Sequence, residues 1–299
     1  MAQIRCLNSA SGDNWAAYQG DCVDVARQMP GNSIDFAVYS PPFSGLYIYN
    51  DSIADMGNSA DDAEFLTHYR YLCAEMHRVM RPGRIIAVHC KDLVFYKNQR
   101  GTAGLRDFPG MLVRAHEDAG FTFHSRVTIW RDPVREMTKT KAHGLLYKQL
   151  RADSSFSRQG LPEYFVVFRK WADDDGTDVV PVEKTSADFP LPWWQETASP
   201  VWMNTRETDV LNAERDPLDE KHICPMPLDI TTRATALWSN PGDVVFSPFM
   251  GIGSEGHVAL KMKRRFVGVE LKEAYWRQAC RHLNNAEANA VDMFDLSAA

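Results

Sequence analysis

Two short stretches hold the residue types that could do chemistry. In the first, Ile34-Asp-Phe-Ala-Val-Tyr-Ser-Pro-Pro-Phe43, an apolar run stops at a serine, two prolines and a phenylalanine. Two successive prolines fix φ twice, remove two backbone donors and hold Ser40 extended. Ser40, Pro41 and Pro42 thus form an acceptor-rich corner, with Phe43 available to stack on a ligand. In the second, Ser247-Pro-Phe-Met-Gly-Ile-Gly-Ser-Glu-Gly256, three glycines follow the G-x-G-x-x-G spacing between an apolar strand and a helix. Glycines let a backbone approach a ligand closely. Glu270 ends the next strand, 19 positions after Gly251, where a carboxylate can accept both hydroxyls of a ribose. Nicotinamide and S-adenosyl ligands share that chemistry, and the motif by itself does not choose between them.

The elements that must position these residues alternate in type. Strand pattern covers 16–21, 34–39, 84–90, 121–130, 164–168, 244–246 and 265–270. Helical pattern covers 23–29, 61–80, 107–119, 227–238, 256–262 and 272–286, with Phe65, Leu66, Tyr69, Leu72, Cys73, Met76 and Met80 forming one apolar stripe. Strand followed by helix, repeated, implies a mostly parallel sheet with helices on both faces. Asp21 ends the first strand, where capping the next helix competes with contacting a ligand. Only 29 residues follow Glu270, enough for one helix and a tail. The strands beside the glycine motif must therefore come from before residue 170, which would bring the glycine turn and the serine corner to neighbouring strand ends facing one cleft.

From 126 to 170 the chain is basic, ten Lys and Arg against four Asp and Glu, a balance of six positive charges. Its Ser, Thr, Gln, His and Tyr content suits phosphate and base-edge contacts. The stretch 171–220 is acidic and Pro-rich, with Trp193, Trp194 and Trp202 as its apolar anchors, and reads as an irregular insert. The whole chain has 299 residues, a net charge of −6 and 44% hydrophobic content, which is globular composition with room for one large α/β domain. That charge argues against a uniformly basic nucleic-acid coat. Six cysteines without a C-x-x-C pair point to reduced thiols and give no metal site. The N-terminus has no charged-then-apolar leader and no run reaches membrane-span length, so a cytoplasmic location is expected.

Taken together, these motifs resemble the amino-group DNA methyltransferases, in the permuted order that places S/D/N-P-P-Y/F/W before the glycine-rich motif. The resemblance spans Gly20-Asp21, Asp35 to Phe43, Glu163 to Lys170, His222 to Pro227, Pro241 to Gly256 and Arg264 to Glu270. It implies a Rossmann-like S-adenosylmethionine-dependent methyltransferase fold, with 1–170 and 221–299 forming the catalytic domain and 131–220 containing the target-recognition insert. S-adenosyl-L-methionine is the implied cofactor and double-stranded DNA the implied partner. A prokaryotic or phage restriction-modification setting and room for a homodimer go with the resemblance. Asp21 is similar to the family's adenine contact and Glu270 to its ribose ligand. Phe249, Gly251 and Gly253 are similar to the family's cofactor motif, Ser247 and Ser254 are expected at the cofactor beside them, and His222, Cys224 and Pro225 are similar to the segment that meets the methionine end. The chain departs from the family at Ser247, where Asp is usual, and at Ser254-Glu255, where a Thr pair is usual.

The implied chemistry fits the residues. An exocyclic amine is a weak nucleophile because its lone pair is delocalised into the ring. Hydrogen bonds to Ser40 Oγ and the Pro41 carbonyl would localise that lone pair for in-line attack on a sulfonium methyl, with Phe43 stacked on a flipped base. Ser at the first position of the motif accompanies N4-cytosine methylation more often than N6-adenine, which favours cytosine. No cysteine follows a proline, which sets aside C5 chemistry. The alternatives are an N6-adenine enzyme, a nicotinamide oxidoreductase, a non-catalytic DNA-binding scaffold and, more remotely, RNA or protein-glutamine methylation. Arg131, Arg135, Lys139, Lys141, Lys148, Arg151 and Arg158 are the expected DNA contacts.

Overall fold

A computed structural model describes residues 4–42, 56, 59, 61–140, 151–155, 160–172, 179–186, 189–213 and 224–295. Its strands are β1 (Asn8–Ser11), β2 (Trp15–Gln19), β3 (Ile34–Tyr39), β4 (Met80–Cys90), β5 (Leu93–Phe95), β6 (Gly104–Arg106), β7 (Thr122–Ile129), β8 (Glu163–Arg169), β9 (Val201–Trp202), β10 (Val244–Ser247) and β11 (Arg265–Glu270). Its helices are α1 (Cys22–Gln28), α2 (Asp62–Val79), α3 (Lys97–Arg100), α4 (Phe108–Asp118), α5 (Pro133–Thr140), α6 (Leu191–Thr197), α7 (Leu228–Trp238), α8 (Ser254–Lys261) and α9 (Glu273–Asp295).

Among the described residues one large sheet runs β1-β2-β11-β10-β3-β4-β8-β7-β9, and β5 and β6 form a separate hairpin. The stretch from β2 through β11, β10 and β3 to β4 is wholly parallel. Strand β8 then runs antiparallel to both β4 and β7. The C-terminal strands β10 and β11 are thus completed by β3 and β2 from the N-terminal half.

Helices cover both faces. Cys22 and Val25 of α1, the stripe Phe65, Tyr69, Leu72, Cys73 and Met76 of α2, and Phe108, Leu112 and Ala115 of α4 pack on one side. Ile230 and Ala234 of α7, Ala259 and Leu260 of α8, and Ala279, Leu283 and Ala286 of α9 pack on the other. A parallel strand covered on both faces reads as a continuous apolar run, and all six residues of β3 are buried. Its one exception, Asp35, is satisfied: it accepts from the Val244 N–H at 2.8 Å and pairs with Arg81 at 3.2 Å. Arg84, fully buried, donates to the Asp35 carbonyl at 2.8 Å and pairs with Asp243. These ties hold β4, β3 and β10 together at the edge opposite the strand ends discussed below.

Beyond the β5–β6 hairpin and α3, which no sequence pattern marked, further features depart from the sequence expectation. The segment 171–220 is not wholly irregular: it contains α6, and β9 adds a parallel strand to β7 at the edge of the sheet. Strand β1 precedes the first expected strand and pairs with it as a hairpin, and α5 begins at Pro133 inside the basic stretch. No helix of the described residues is long and apolar enough to cross a membrane.

Candidate active site

Because β2, β11, β10, β3 and β4 point the same way, their C-terminal ends line one edge. Asp21 follows β2, Glu270 ends β11, the glycine turn follows β10, Ser40 follows β3 and Lys91 follows β4. The register sets Val245 opposite Phe36 and Phe246 opposite Ala37. Ser247 is then level with Val38, and the serine corner and glycine turn leave adjacent strands side by side. The two stretches also touch: the rings of Tyr39 and Phe249 have centroids 5.8 Å apart, tilted at 57°. Ser40 and Pro42 are half-buried and Pro41 is buried.

The glycine turn is fastened by backbone atoms. Met250 N–H donates to the Val269 carbonyl at 2.9 Å, and Gly251 N–H donates to Glu270 Oε2 at 3.0 Å. The other oxygen of Glu270 accepts from Lys272 N–H at 2.8 Å. Gly251 has φ of 51° and Gly253 has φ of 92°, a region that disfavours residues with a Cβ. A Cβ on Gly251 would meet nothing within 4 Å, whereas one on Gly253 would come to 3.3 Å from the Ala279 backbone. The turn is therefore open on one side and packed on the other, where His282 Nδ1 also donates to the Ile252 carbonyl at 2.8 Å. Gly20 N–H donates to the Glu270 carbonyl at 3.1 Å, joining the end of β2 to this edge. Asp21 caps α1, its Oδ1 accepting from the Val23 and Asp24 N–H groups at 2.9 Å each.

Glu255, in the first turn of α8, is a group whose environment the sequence does not disclose. It is buried. Burial pushes its carboxyl up to about 8, and the Glu270 carboxylate adds to the rise against the opposing pull of its own backbone N–H and Ser247. Ser247 is near enough for that carboxyl to feel it, yet Ser247 Oγ and Ser254 Oγ are both buried without a hydrogen bond of ordinary geometry among the described residues. Unpaired buried hydroxyls are uncommon and ask for a partner.

Further along the edge the groups are ionic. Glu163, at the start of β8, accepts from His89 Nε2 at 2.8 Å and from Arg131. Burial alone would raise its carboxyl, but His89 and Arg131 hold it well below the usual carboxylate range. Arg131 also lies 3.9 Å from Glu207. Lys91 pairs with Glu136 at 3.0 Å; burial works against its charge, and Glu136 with Glu163 more than offsets this, raising the ammonium pKa.

The structure corrects one expected DNA contact. Arg131 is buried between Glu163 and Glu207, so its charge is spent inside the protein and does not face a phosphate. Arg135 and Arg151 are exposed, and Lys139 lies in α5. Cys224 is exposed and Pro225 half-buried just ahead of α7. Phe43, His222, Lys141, Lys148 and Arg158 lie outside the described residues.

Known proteins resemble this chain in sequence and in fold. A family model described as DNA methylase, of the N6/N4 type, matches residues 34–281. The chain is 25% identical to the type II methyltransferase M1.MboII of Moraxella bovis over 279 residues, which cover 91% of this chain and 97% of that protein. In fold it is similar to a DNA modification methylase of Thermus thermophilus, TTHA0409, solved with S-adenosyl-L-methionine, at a TM-score of 0.66 and 18% identity over 90% of this chain and 93% of that one. It is also similar to the cytosine-N4-specific PvuII DNA methyltransferase, at a TM-score of 0.61 and 15% identity over 95% and 93% of the two chains.

Proposed function

The chain belongs to the N6/N4 DNA methylase family, and from that premise we propose that it transfers a methyl group from S-adenosyl-L-methionine to the N4 amino group of a cytosine in double-stranded DNA. The observation that carries this proposal is the shared edge: Ser40 and the glycine turn leave adjacent parallel strands, and Tyr39 meets Phe249 between them. When bound, S-adenosyl-L-methionine supplies a methyl group made electrophilic by its sulfonium. The residues present fit it. Glu270, whose carboxylate has more acceptor sites than two amides use, is placed for ribose hydroxyls. The open side of Gly251 admits the ligand against the backbone. Among the described residues the buried Ser254 hydroxyl lacks a partner that a ligand could provide, and Asp21, at the end of β2 beside β11, would meet the adenine.

The rest of the work falls to the serine corner. Ser40 Oγ and the Pro41 carbonyl accept the two amine hydrogens, which shifts the nitrogen toward tetrahedral geometry and aims its lone pair at the methyl. Ser40 forms no covalent bond. The amine loses one proton after transfer; the Ser40 hydroxyl and the Pro41 carbonyl are too weakly basic to keep it, so it passes to water, while the sulfonium leaves as the neutral thioether. Flipping the base costs about a few kcal/mol, offset by stacking on Phe43 and by contacts from the recognition segment within 131–220. Arg135, Lys139, Lys141, Lys148, Arg151 and Arg158 supply the phosphate contacts of that segment. The choice of cytosine follows the serine at position 40, since that motif position carries Ser more often in N4-cytosine enzymes and Asp more often in N6-adenine enzymes.

Mass spectrometry of nucleosides from DNA of cells expressing the chain tests this. N4-methylcytosine is expected. N6-methyladenine in its place would overturn the choice of base and leave the acceptor corner standing, whereas unmodified DNA would overturn the activity itself.

A further inference from the structure

Beneath the serine corner lies a buried polar network that the chemistry above does not use. Tyr39 is the last residue of β3, Tyr69 sits mid-way along α2 and His116 lies in the last turn of α4; all three have zero exposure. Tyr39 Oη is 3.0 Å from Tyr69 Oη and 3.2 Å from His116 Nε2, and His116 Nδ1 is 2.8 Å from the Leu112 carbonyl. A carbonyl only accepts, so Nδ1 bears the proton. Burial pushes the imidazole down to about 4, which leaves the ring neutral and Nε2 an acceptor. Tyr39 therefore donates to His116 and accepts from Tyr69, and the proton direction of the whole chain is fixed.

The rings are fixed as well. His116 stacks on Phe168 with centroids 3.9 Å apart and planes within 5°. Tyr69 stacks on Phe65 at 5.4 Å and 15°. Tyr39 is thus held by its hydroxyl from α2 and α4, faces Phe249 of the glycine turn, and passes its backbone directly into Ser40. Hydrocarbon would fill this space without the cost of burying three polar groups, and a fully satisfied network makes up that cost by specifying one geometry.

We propose that Tyr39, anchored by Tyr69 and His116, is a positioning residue for methyl transfer that sets the exit of β3, so that the serine corner meets the glycine turn in one arrangement. The proposal rests on the assignment of Ser40 as the acceptor for the amine. Removing the Tyr39 hydroxyl leaves its ring against Phe249 but releases the anchor, and a displacement near 1 Å in a reacting pair costs about a hundredfold in rate.

The test is a double-mutant cycle of Tyr39→Phe with Ser40→Ala, read as single-turnover methyl transfer at saturating cofactor and DNA, with S-adenosylmethionine affinity measured alongside. Tyr39→Phe should slow transfer about tenfold or more while leaving the affinity within about twofold, and should add no further loss to Ser40→Ala. Tyr69→Phe, which keeps the Tyr39–His116 bond, provides a second variant should Tyr39→Phe not fold; it should show a smaller loss that likewise vanishes in the Ser40→Ala background. A wild-type rate in Tyr39→Phe, or losses that multiply in the double variant, would overturn the positioning role alone. A wild-type rate in Ser40→Ala would overturn the acceptor assignment and the positioning role with it.

Discussion

The parallel wing of the sheet, from β2 to β4, and the antiparallel wing of β8, β7 and β9 share one edge but finish it with different materials. On the parallel wing the edge is built from backbone. Two glycines with positive φ, amides of Gly251 and Lys272 on Glu270, and the capped end of α1 at Asp21 shape it. The buried ionisable group there, Glu255, has its carboxyl raised to about 8 and is neutral at ordinary pH. From the end of β4 onto the β8 and β7 wing the edge is built from charges: Glu163 shared by His89 and Arg131, Arg131 beside Glu207, and Lys91 on Glu136. The backbone-built stretch of the edge carries few side-chain ion pairs, whereas the charged stretch spends part of its cationic content bracing itself, so counting basic residues overstates the charge that faces outward.

Breaking the brace should give the largest effect on stability. Arg131→Ala leaves His89 as the remaining side-chain donor to Glu163 and takes away the guanidinium beside Glu207. Removing one side of a buried pair costs about 3–5 kcal/mol, visible as a lowered denaturation midpoint. The slope of DNA affinity against salt should stay unchanged, because Arg131 faces no phosphate. A reduced salt slope with an intact midpoint would return Arg131 to the DNA-contacting surface and erase the contrast between the wings.

The parallel wing is probed by pH. Glu255 titrates near 8 when folded and near 4.5 otherwise, so the folded state holds the extra proton between those values. Its contribution to stability is complete below about 4.5 and is lost as pH rises through about 8. His116 is displaced the other way, to about 4 from 6.5, and Glu163 is held charged, so both contribute stability that is lost as pH falls. Glu255→Gln should flatten the decline of the unfolding midpoint between about pH 5 and 8 and leave the acid limb as it was. An unaltered alkaline decline would mean that Glu255 is not the buried neutral acid described here.

The smallest effect belongs to the exposed cations. Arg135→Glu should leave stability within about 0.5 kcal/mol and lower the salt slope of DNA binding by about one to two. An unchanged slope would move the phosphate contacts away from α5.

Much of the parallel wing was legible in the sequence because its signals are local. The six-residue run of β3 stops short of two prolines, and the glycine spacing sits between a strand and a helix. The antiparallel wing was less legible because its determinants are distant. Arg131 finds Glu163 and Glu207, 32 and 76 positions away, and nothing beside it marks it as buried. Strand β9 is two residues long inside a Trp-bearing acidic stretch, and β1, Asn-Ser-Ala-Ser, lacks an apolar alternation because it is an edge strand with mostly exposed residues. Glu255 follows the second glycine motif residue like any first-turn acid, and only the packing of α8 against the sheet shows that it is buried. Tyr39 reads as one more apolar position of β3 until α2 and α4 bring its hydroxyl two partners.

The most direct test of one shared pocket measures cofactor binding and methyl transfer on the same preparations of Ser40→Ala and Glu270→Ala. The two half-sites should separate cleanly. Ser40→Ala should bind S-adenosylmethionine as the wild type does and lose methyl transfer by about a hundredfold or more. Glu270→Ala should bind it at least about tenfold more weakly, as expected for lost charge-assisted hydrogen bonds, and recover transfer when the cofactor is raised. If Ser40→Ala methylates DNA at the wild-type rate, or Glu270→Ala binds the cofactor unchanged, the serine corner and the glycine turn do not make one active site.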